Sequence, residues 1–248
     1  MTEFVVVIPA RFASERLPGK PLREINGKPM LEHVYQRGVE SDAKEVVVAT
    51  DDDRVADAAE DFGATVCMTG DQHRSGTERI AEVADIMNWS DDMIVVNLQG
   101  DEPAMPPSLL NQCAALLDDL MVDVSTLASP LASQEDFDNP NVVKVVLNNE
   151  DDAIYFSRAT IPYPRSEDDT RKAMNSALHH HGIYAYRCGI LRQLVSAEPS
   201  PLELAEQLEQ LRALSLGMRI RVGRPALRPG RGVDTEDDLA AIAKELPG

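Results

Sequence analysis

Five cations, Arg11, Arg16, Lys20, Arg23 and Lys28, stand against two carboxylates between Pro9 and Lys28, in a chain of net charge −18. The run PARFASERLPGKPL directly follows the apolar segment Val5-Val6-Val7-Ile8. A buried strand that ends in a Gly/Pro-bearing cationic loop suits an anion with several oxygens, and a polyphosphate is the obvious ligand. Arg11 and Arg16 can each grip phosphate oxygens in bidentate fashion, and Lys20 can add a point charge. Pro18 and Gly19 let the backbone pass close to a ligand. The spacing is neither G-x-x-x-x-G-K-[ST] nor G-x-G-x-x-G, so this is not a Walker A loop or a dinucleotide fingerprint.

Carboxylates follow other apolar runs. Val95-Val96-Asn97-Leu98-Gln99-Gly100-Asp101 places Asp101 just past a strand, where it can share a divalent cation with phosphate oxygens. Asp234, in Gly232-Val233-Asp234-Thr235, reads either as a second metal ligand or as part of a helix cap in which Asp237 or Asp238 closes a capping box. Asp51-Asp52-Asp53 has the D-x-D form of metal-dependent glycosyltransferases, but acidic residues at a helix start already favour the macrodipole, and this is the preferred reading. His179-His180-His181 looks like a metal tract, yet consecutive strand residues face opposite ways and cannot converge on one ion. A histidine there is better suited to donate to an anionic substrate. The five arginines from Arg219 to Arg231 either line an anionic pocket or face solvent.

The elements that must position these groups follow from periodicity. Apolar β-branched runs predict strands over 4–8, 45–50, 93–98, 122–128, 142–147, 153–157, 182–186 and 219–222. Amphipathic stretches predict helices over 30–40, 52–62, 76–87, 107–118, 189–196, 201–216 and 236–245. The helix from 201 opens on a capping box, Ser200-Pro201-Leu202-Glu203, carries one stripe of Leu204, Leu208 and Leu211, and ends at Gly217. The fold class is α/β: a Rossmann-like, mainly parallel sheet flanked by helices, with a mixed extension in the second half. Ligands in such sheets lie beyond the carboxyl ends of the strands. Residues 1–248 read as one domain, with an irregular extension around 155–185 and an exposed loop over 161–177.

Composition excludes some partners. A charge of −18 argues against nucleic acid and against anionic membrane surfaces. It fits plain solubility or a salty cytoplasm equally well. No apolar run approaches the ~20 residues of a membrane span, so no membrane insertion is expected. Cys67, Cys113 and Cys188 are odd in number and widely spaced, which fits neither a disulfide framework nor a metal clip. With no charged leader before the first strand, these features predict a cytoplasmic protein.

Ten segments together resemble the 3-deoxy-manno-octulosonate (Kdo) cytidylyltransferases, or CMP-Kdo synthetases, nearly end to end. They are IPARFASERLPGKPL, NGKPM, VATD, SGTER, NLQGDEP, NPNVVKVV, YFSRATIP, HHGIYAYR, LEQLR and GVDT. The first marks cytidylyltransferases in general; YFSRATIP, HHGIYAYR and LEQLR point to Kdo. The resemblance implies a nucleotidyltransferase that joins CTP to Kdo, giving CMP-Kdo and pyrophosphate for lipopolysaccharide synthesis. It implies that Arg11, Ser14, Arg16, Lys20, Ser75 and Gln99 hold CTP, with Arg11, Arg16, Lys20 and Asp101 catalytic. By the same resemblance Asp101 and Asp234 coordinate Mg²⁺, and Arg158, His180, Tyr184, Glu209 and Gln210 bind the sugar acid. A cytoplasmic homodimer is the implied assembly. The competing readings are a cytidylyltransferase for amino-Kdo or sialic acid, a metal-dependent glycosyltransferase, and a non-catalytic nucleotide sensor.

Overall fold

Strand parity sets the layers of this molecule, here in a computed structural model that describes residues 2–13 and 17–246. The first strand, β1 (Phe4–Pro9), leads to a two-residue hairpin, β2 (Glu24–Ile25) and β3 (Lys28–Pro29). Helix α1 (Met30–Val39), β4 (Glu45–Thr50), α2 (Asp53–Asp61), β5 (Thr65–Met68), α3 (Gly76–Ile86) and β6 (Ile94–Asn97) complete the first half. The second half runs α4 (Pro107–Ala115), β7 (Val124–Pro130), α5 (Gln134–Asp138), β8 (Lys144–Leu147), β9 (Ala153–Ser157) and α6 (Thr170–Ser176). It ends with β10 (Ala177–Arg187), α7 (Cys188–Ser196), α8 (Pro201–Glu206), α9 (Gln210–Ser215), β11 (Ile220–Gly223) and α10 (Glu236–Glu245).

Along β1 the even residues Phe4, Val6 and Ile8 pack with Leu31 and Val34 of α1 and with Leu109 and Leu110 of α4. The odd residues Val5 and Val7 pack with Ile80, Val83 and Ala84 of α3 and with Leu191 and Leu194 of α7. One strand thus feeds two cores, as its period of two dictates. Each buried valine contributes about 2 kcal/mol of transfer free energy, so Val7→Ala weakens the α3 side specifically.

Among the described residues nine strands form one sheet, with a path β11-β7-β10-β6-β1-β4-β5, β8 attached to β10 and β9 to β8. β1 pairs in parallel with β4 and β6, and β4 with β5. β10 runs antiparallel to β6 and β7, while β11 is parallel to β7. The expected parallel first half is therefore present, and the later strands form the mixed extension of the same sheet. From β1 the chain turns to β4 on one side and returns to β6 on the other. The crevice between β1 and β6 is a topological switch point, where such sheets bind ligands.

Several features differ from the sequence expectations. β5, β2, β3 and α5 are short elements that the periodicity does not mark, and β10 runs over eleven residues from Ala177. The stretch 161–177 is not all loop, because Thr170–Ser176 is helical. The helix expected over 201–216 is two helices: Gln207 adopts φ 53, ψ 48 and breaks it. Leu204 is 59% exposed and does not join the buried stripe of Leu208 and Leu211. The capping box at Ser200 and Glu203 is present, and Gly217 closes the second helix at φ 77. The three cysteines are buried free thiols. Among the described residues, no helix is long and apolar enough to cross a membrane.

Candidate active site

The cationic loop leaves β1 beside the loop that leaves β6, since Val7 pairs with Asn97. Ala10 donates its N–H to the Ala49 carbonyl at 2.8 Å, and Gly19 donates back to Phe12 at 3.3 Å, so the described ends of the loop are held near the sheet. Gly19 takes φ 65, which a residue with a Cβ adopts only with strain, and it starts the single turn Lys20–Leu22. That turn aims Lys20 at two carboxylates. Its Nζ donates to Asp101 Oδ2 at 2.7 Å and to Asp234 Oδ1 at 2.9 Å.

Backbone contacts explain why residues so far apart in sequence meet. A Cβ on Gly100 would come 2.8 Å from the Pro9 carbonyl, so only glycine lets the β6 loop lie against β1. Val233 donates its N–H to the Asp101 carbonyl at 2.9 Å, which seats the segment before α10 beside Asp101. Thr235, not Asp234, caps α10, in a capping box with Asp238. The two readings of this motif are thereby separated: the neighbour caps, and the Asp234 carboxylate turns to Lys20.

One cation faces two carboxylates here, and the cluster keeps an excess of negative charge. Burial opposes the charge on Lys20, but Asp101 and Asp234 outweigh it and hold the pKa above the ordinary lysine value. Glu102 is a third carboxyl in the cluster that the sequence reading did not single out. Burial, then the Asp101 charge, pushes its pKa to about 8, so it is largely protonated at neutral pH. It packs against Gly232, where a Cβ would come 3.0 Å from Glu102 Oε1.

A cavity of about 180 Å³ opens over this cluster, lined by Ala10, Arg11, Lys20, Gly76, Gln99 and Asp101 among others. A second, of about 140 Å³, is lined by Asn97, Tyr184, Tyr186, Glu209 and Gln210 among others. Gly76 and Gln99 line both, so a cationic lobe and a tyrosine lobe share one wall. Gln99 is held by its own amide, which donates to Asn97 Oδ1 at 3.1 Å. Arg11 donates to the His73 carbonyl. Burial, then the nearby Arg79, lowers the pKa of Arg11.

The tyrosine lobe comes from β10 and from the break between α8 and α9. Tyr184 sits opposite Asn97 in the antiparallel β10–β6 pair, and Tyr184 and Tyr186 stack with centroids 5.9 Å apart. Burial raises both phenols well above their ordinary pKa, so they stay neutral donors. Tyr186, two residues on and therefore on the same strand face, was available to period-two reasoning but not singled out. Asn97 and Thr77 carried no such signal.

The other expected site residues are placed as follows. Ser75 caps α3, accepting from the Glu78 N–H at 3.2 Å, and lines a groove with Glu209 beside the two lobes. Ser14 and Arg16 lie outside the described residues. His180 does not line either lobe. It lies against Tyr184 with ring centroids 5.3 Å apart, and its Nε2 meets Thr126 Oγ1 at 3.0 Å. Burial, then His181 and His179, lowers its pKa to about 3, so it is a neutral imidazole at neutral pH. Arg158 does not line either lobe: its guanidinium donates to the carbonyls of Glu206, Pro140 and Gln207 at 2.8, 3.2 and 3.4 Å. His179 and His181 share one face of β10, with centroids 4.8 Å apart. Among the described residues no cluster of His, Cys, Asp and Glu forms a metal cage.

The acidic run after β4 is structural. Asp52 caps α2, and Asp51 pairs at 3.0 Å with Arg79, which is 0% exposed. The arginine cluster is also largely paired: Arg219 and Arg221 converge on Asp152, Arg224 meets Asp151 at 3.5 Å, and Arg231 meets Asp238 at 3.7 Å.

Two oxygen-only carboxylates that reach one cation, beside a phosphate-sized cationic lobe, fit Mg²⁺, which takes one or two carboxylates together with substrate phosphates.

Comparison with known proteins shows the family and the fold. The family model described as "Cytidylyltransferase" matches residues 5–220. A solved structure of CMP:2-keto-3-deoxy-manno-octonic acid synthetase complexed with CTP is 44% identical, covering 98% of this chain and 100% of its own, with a TM-score of 0.89. A cytidylyltransferase from Leptospira borgpetersenii serovar Hardjo-bovis (strain JB197) is 17% identical, covering 98% of this chain and 85% of its own, with a TM-score of 0.62, and shares the fold.

Proposed function

This chain belongs to the cytidylyltransferases, within the CMP-Kdo synthetase family, and from that premise we propose that it transfers CMP from CTP to Kdo. The products are CMP-Kdo and pyrophosphate. The observation that carries the reading is Lys20 held between Asp101 and Asp234 in a lobe that shares Gln99 with a second lobe. Two adjoining pockets with one wall suit a reaction that joins two substrates.

In this reading the C2 hydroxyl of Kdo attacks the α-phosphorus of CTP. The bond to the bridging oxygen breaks, pyrophosphate leaves, and the hydroxyl proton goes to solvent. No covalent enzyme intermediate is needed, because positioning and charge stabilisation carry phosphoryl transfer. Arg11 and Lys20 supply fixed cations for the triphosphate, and Arg16 is assigned the same task by the resemblance. Gln99 stands where the two substrates meet. Glu209, Gln210 and Tyr184 offer one charged acceptor, one amide and one neutral phenol to a polyhydroxylated acid. Asp101 and Asp234 would hold Mg²⁺, which when bound offsets phosphate charge and lowers the pKa of the attacking hydroxyl.

A cytoplasmic homodimer completes the reading. Three buried free thiols suit a reducing compartment, and Tyr163 and Ile154, 85% and 59% exposed near the 155–185 extension, suit a subunit contact. Light scattering of the purified chain tests the assembly.

The decisive experiment is a pyrophosphate-release assay with CTP, Mg²⁺ and a panel of Kdo, amino-Kdo and sialic acid. Fastest release with Kdo, and none without added metal, is expected. Release of a nucleoside diphosphate, or CTP binding without turnover, overturns the proposal.

A further inference from the structure

Lys144 is a fully buried cation. It is 0% exposed, and its ammonium donates to two neutral acceptors, the Asn139 carbonyl at 2.8 Å and the Arg158 carbonyl at 2.7 Å. Burial lowers its pKa against the pull of the nearby Asp138 and Glu206 carboxylates, and an apolar side chain of similar volume is often as stable or more so at such a place. Stability alone is a weak account of it, so what the side chain fixes is the informative question.

Its two bonds fix the end of β9. There Arg158 reaches on to three more carbonyls, those of Pro140, Glu206 and Gln207, while its own N–H donates to Glu206 Oε2 at 2.8 Å. The other Glu206 oxygen accepts from Ser157 Oγ at 2.6 Å. The last acceptor of Arg158, Gln207, is the residue whose left-handed backbone breaks the expected helix. A non-glycine residue there is strained and persists only when its surroundings hold it. Two residues on, the chain reaches Glu209 and Gln210, which line the tyrosine lobe.

We infer that Lys144 and Glu206 are positioning residues: by clamping the end of β9 and Arg158 to the α8–α9 turn, they aim Glu209 and Gln210 into the tyrosine lobe. The chain of contacts runs from β8 through β9 to the turn and contains no lobe-lining residue before Glu209. It deepens the proposed function, on which its kinetic consequence rests.

The test uses full-length Lys144→Met and Glu206→Gln, read two ways. Amide exchange across 207–211 reports the turn itself and needs no substrate; protection should fall about tenfold in both variants. Steady-state pyrophosphate release should show the KM for Kdo up about tenfold with the KM for CTP changed less than about twofold. The double variant should be no worse than about the poorer single one, since both residues act through one turn. Unchanged exchange across 207–211, or equal rises in both KM values, overturns the inference. If Lys144→Met fails to fold, Glu206→Gln, at a partly exposed position, decides alone. Absence of turnover in the parent enzyme would defeat the proposed function while leaving the exchange result to judge the clamp.

Discussion

The two lobes share a wall but are built by different means. The cationic lobe comes from loops that leave neighbouring parallel strands, with Arg11, Gln99 and Asp101 within a few residues of a strand end and Lys20 farther along the β1 loop. The tyrosine lobe takes Tyr184 and Tyr186 from an antiparallel strand and Glu209 and Gln210 from the residues just after a helix break. The first lobe concentrates charge, while the second holds a shape with neutral phenols and one carboxylate. Charge chemistry is therefore expected to fail at the first lobe, and fit at the second.

The sharpest way to break that contrast is Asp101→Asn. It keeps the size of the side chain and removes one of the two charges on Lys20, so turnover should fall about a thousandfold while CTP still binds weakly. Rapid-quench turnover beside a CTP titration measures both; near-normal turnover in Mg²⁺ would remove Asp101 as a metal ligand.

Next in size is the buried ion pair near Arg11. Asp51→Ala leaves Arg79 buried without its carboxylate partner, which should cost about 3 kcal/mol in denaturant unfolding. A loss below about 1 kcal/mol would mean that solvent reaches Arg79.

Acid should act at His180, behind the tyrosine lobe. His180 binds a proton less readily in the fold, with a pKa of about 3, than in the unfolded chain, near 6.5. Between those values the unfolded state holds more protons, so stability rises with pH across that window and is lost on acidification. At about pH 5 this one residue accounts for about 2 kcal/mol, and His180→Gln should flatten the pH dependence by that amount. His179 and His181 shift the same way for the same reason, so a residual slope is expected in the variant.

The smallest effect separates cap from ligand. Thr235→Ala should cost about 1 kcal/mol in thermal unfolding with turnover reduced only a few-fold, whereas Asp234→Asn should do the reverse. If the two variants match in both readouts, Asp234 has no role apart from the cap.

Legibility in the sequence follows the same division. Glycine at 100, the cations after β1 and Asp101 after β6 could be read because strand, loop and side chain are contiguous, and strand ends in parallel sheets are where ligands go. Asp234 was ambiguous because a helix cap and a ligand use the same residue types, and only the Thr235–Asp238 box resolved it. Tyr186 was legible in principle from the parity of Tyr184. Glu102 was not, since its high pKa comes from burial against Gly232 and from charges brought in by distant segments. Arg158 and His180 were marked by resemblance, but their places, one on three carbonyls and one beneath Tyr184, depend on how β9, β10 and the helix turn meet.

By itself the sequence determined the alternating strands and helices and the cationic loop after the first strand. Those depend on side-chain period and on neighbours a few residues away. Only the tertiary structure decided that Lys20 bridges Asp101 and Asp234, that Gln207 breaks a helix the periodicity would continue, and that a buried lysine ties β8 to β9. Each of these depends on contacts between segments far apart in the chain, whose geometry no local pattern encodes.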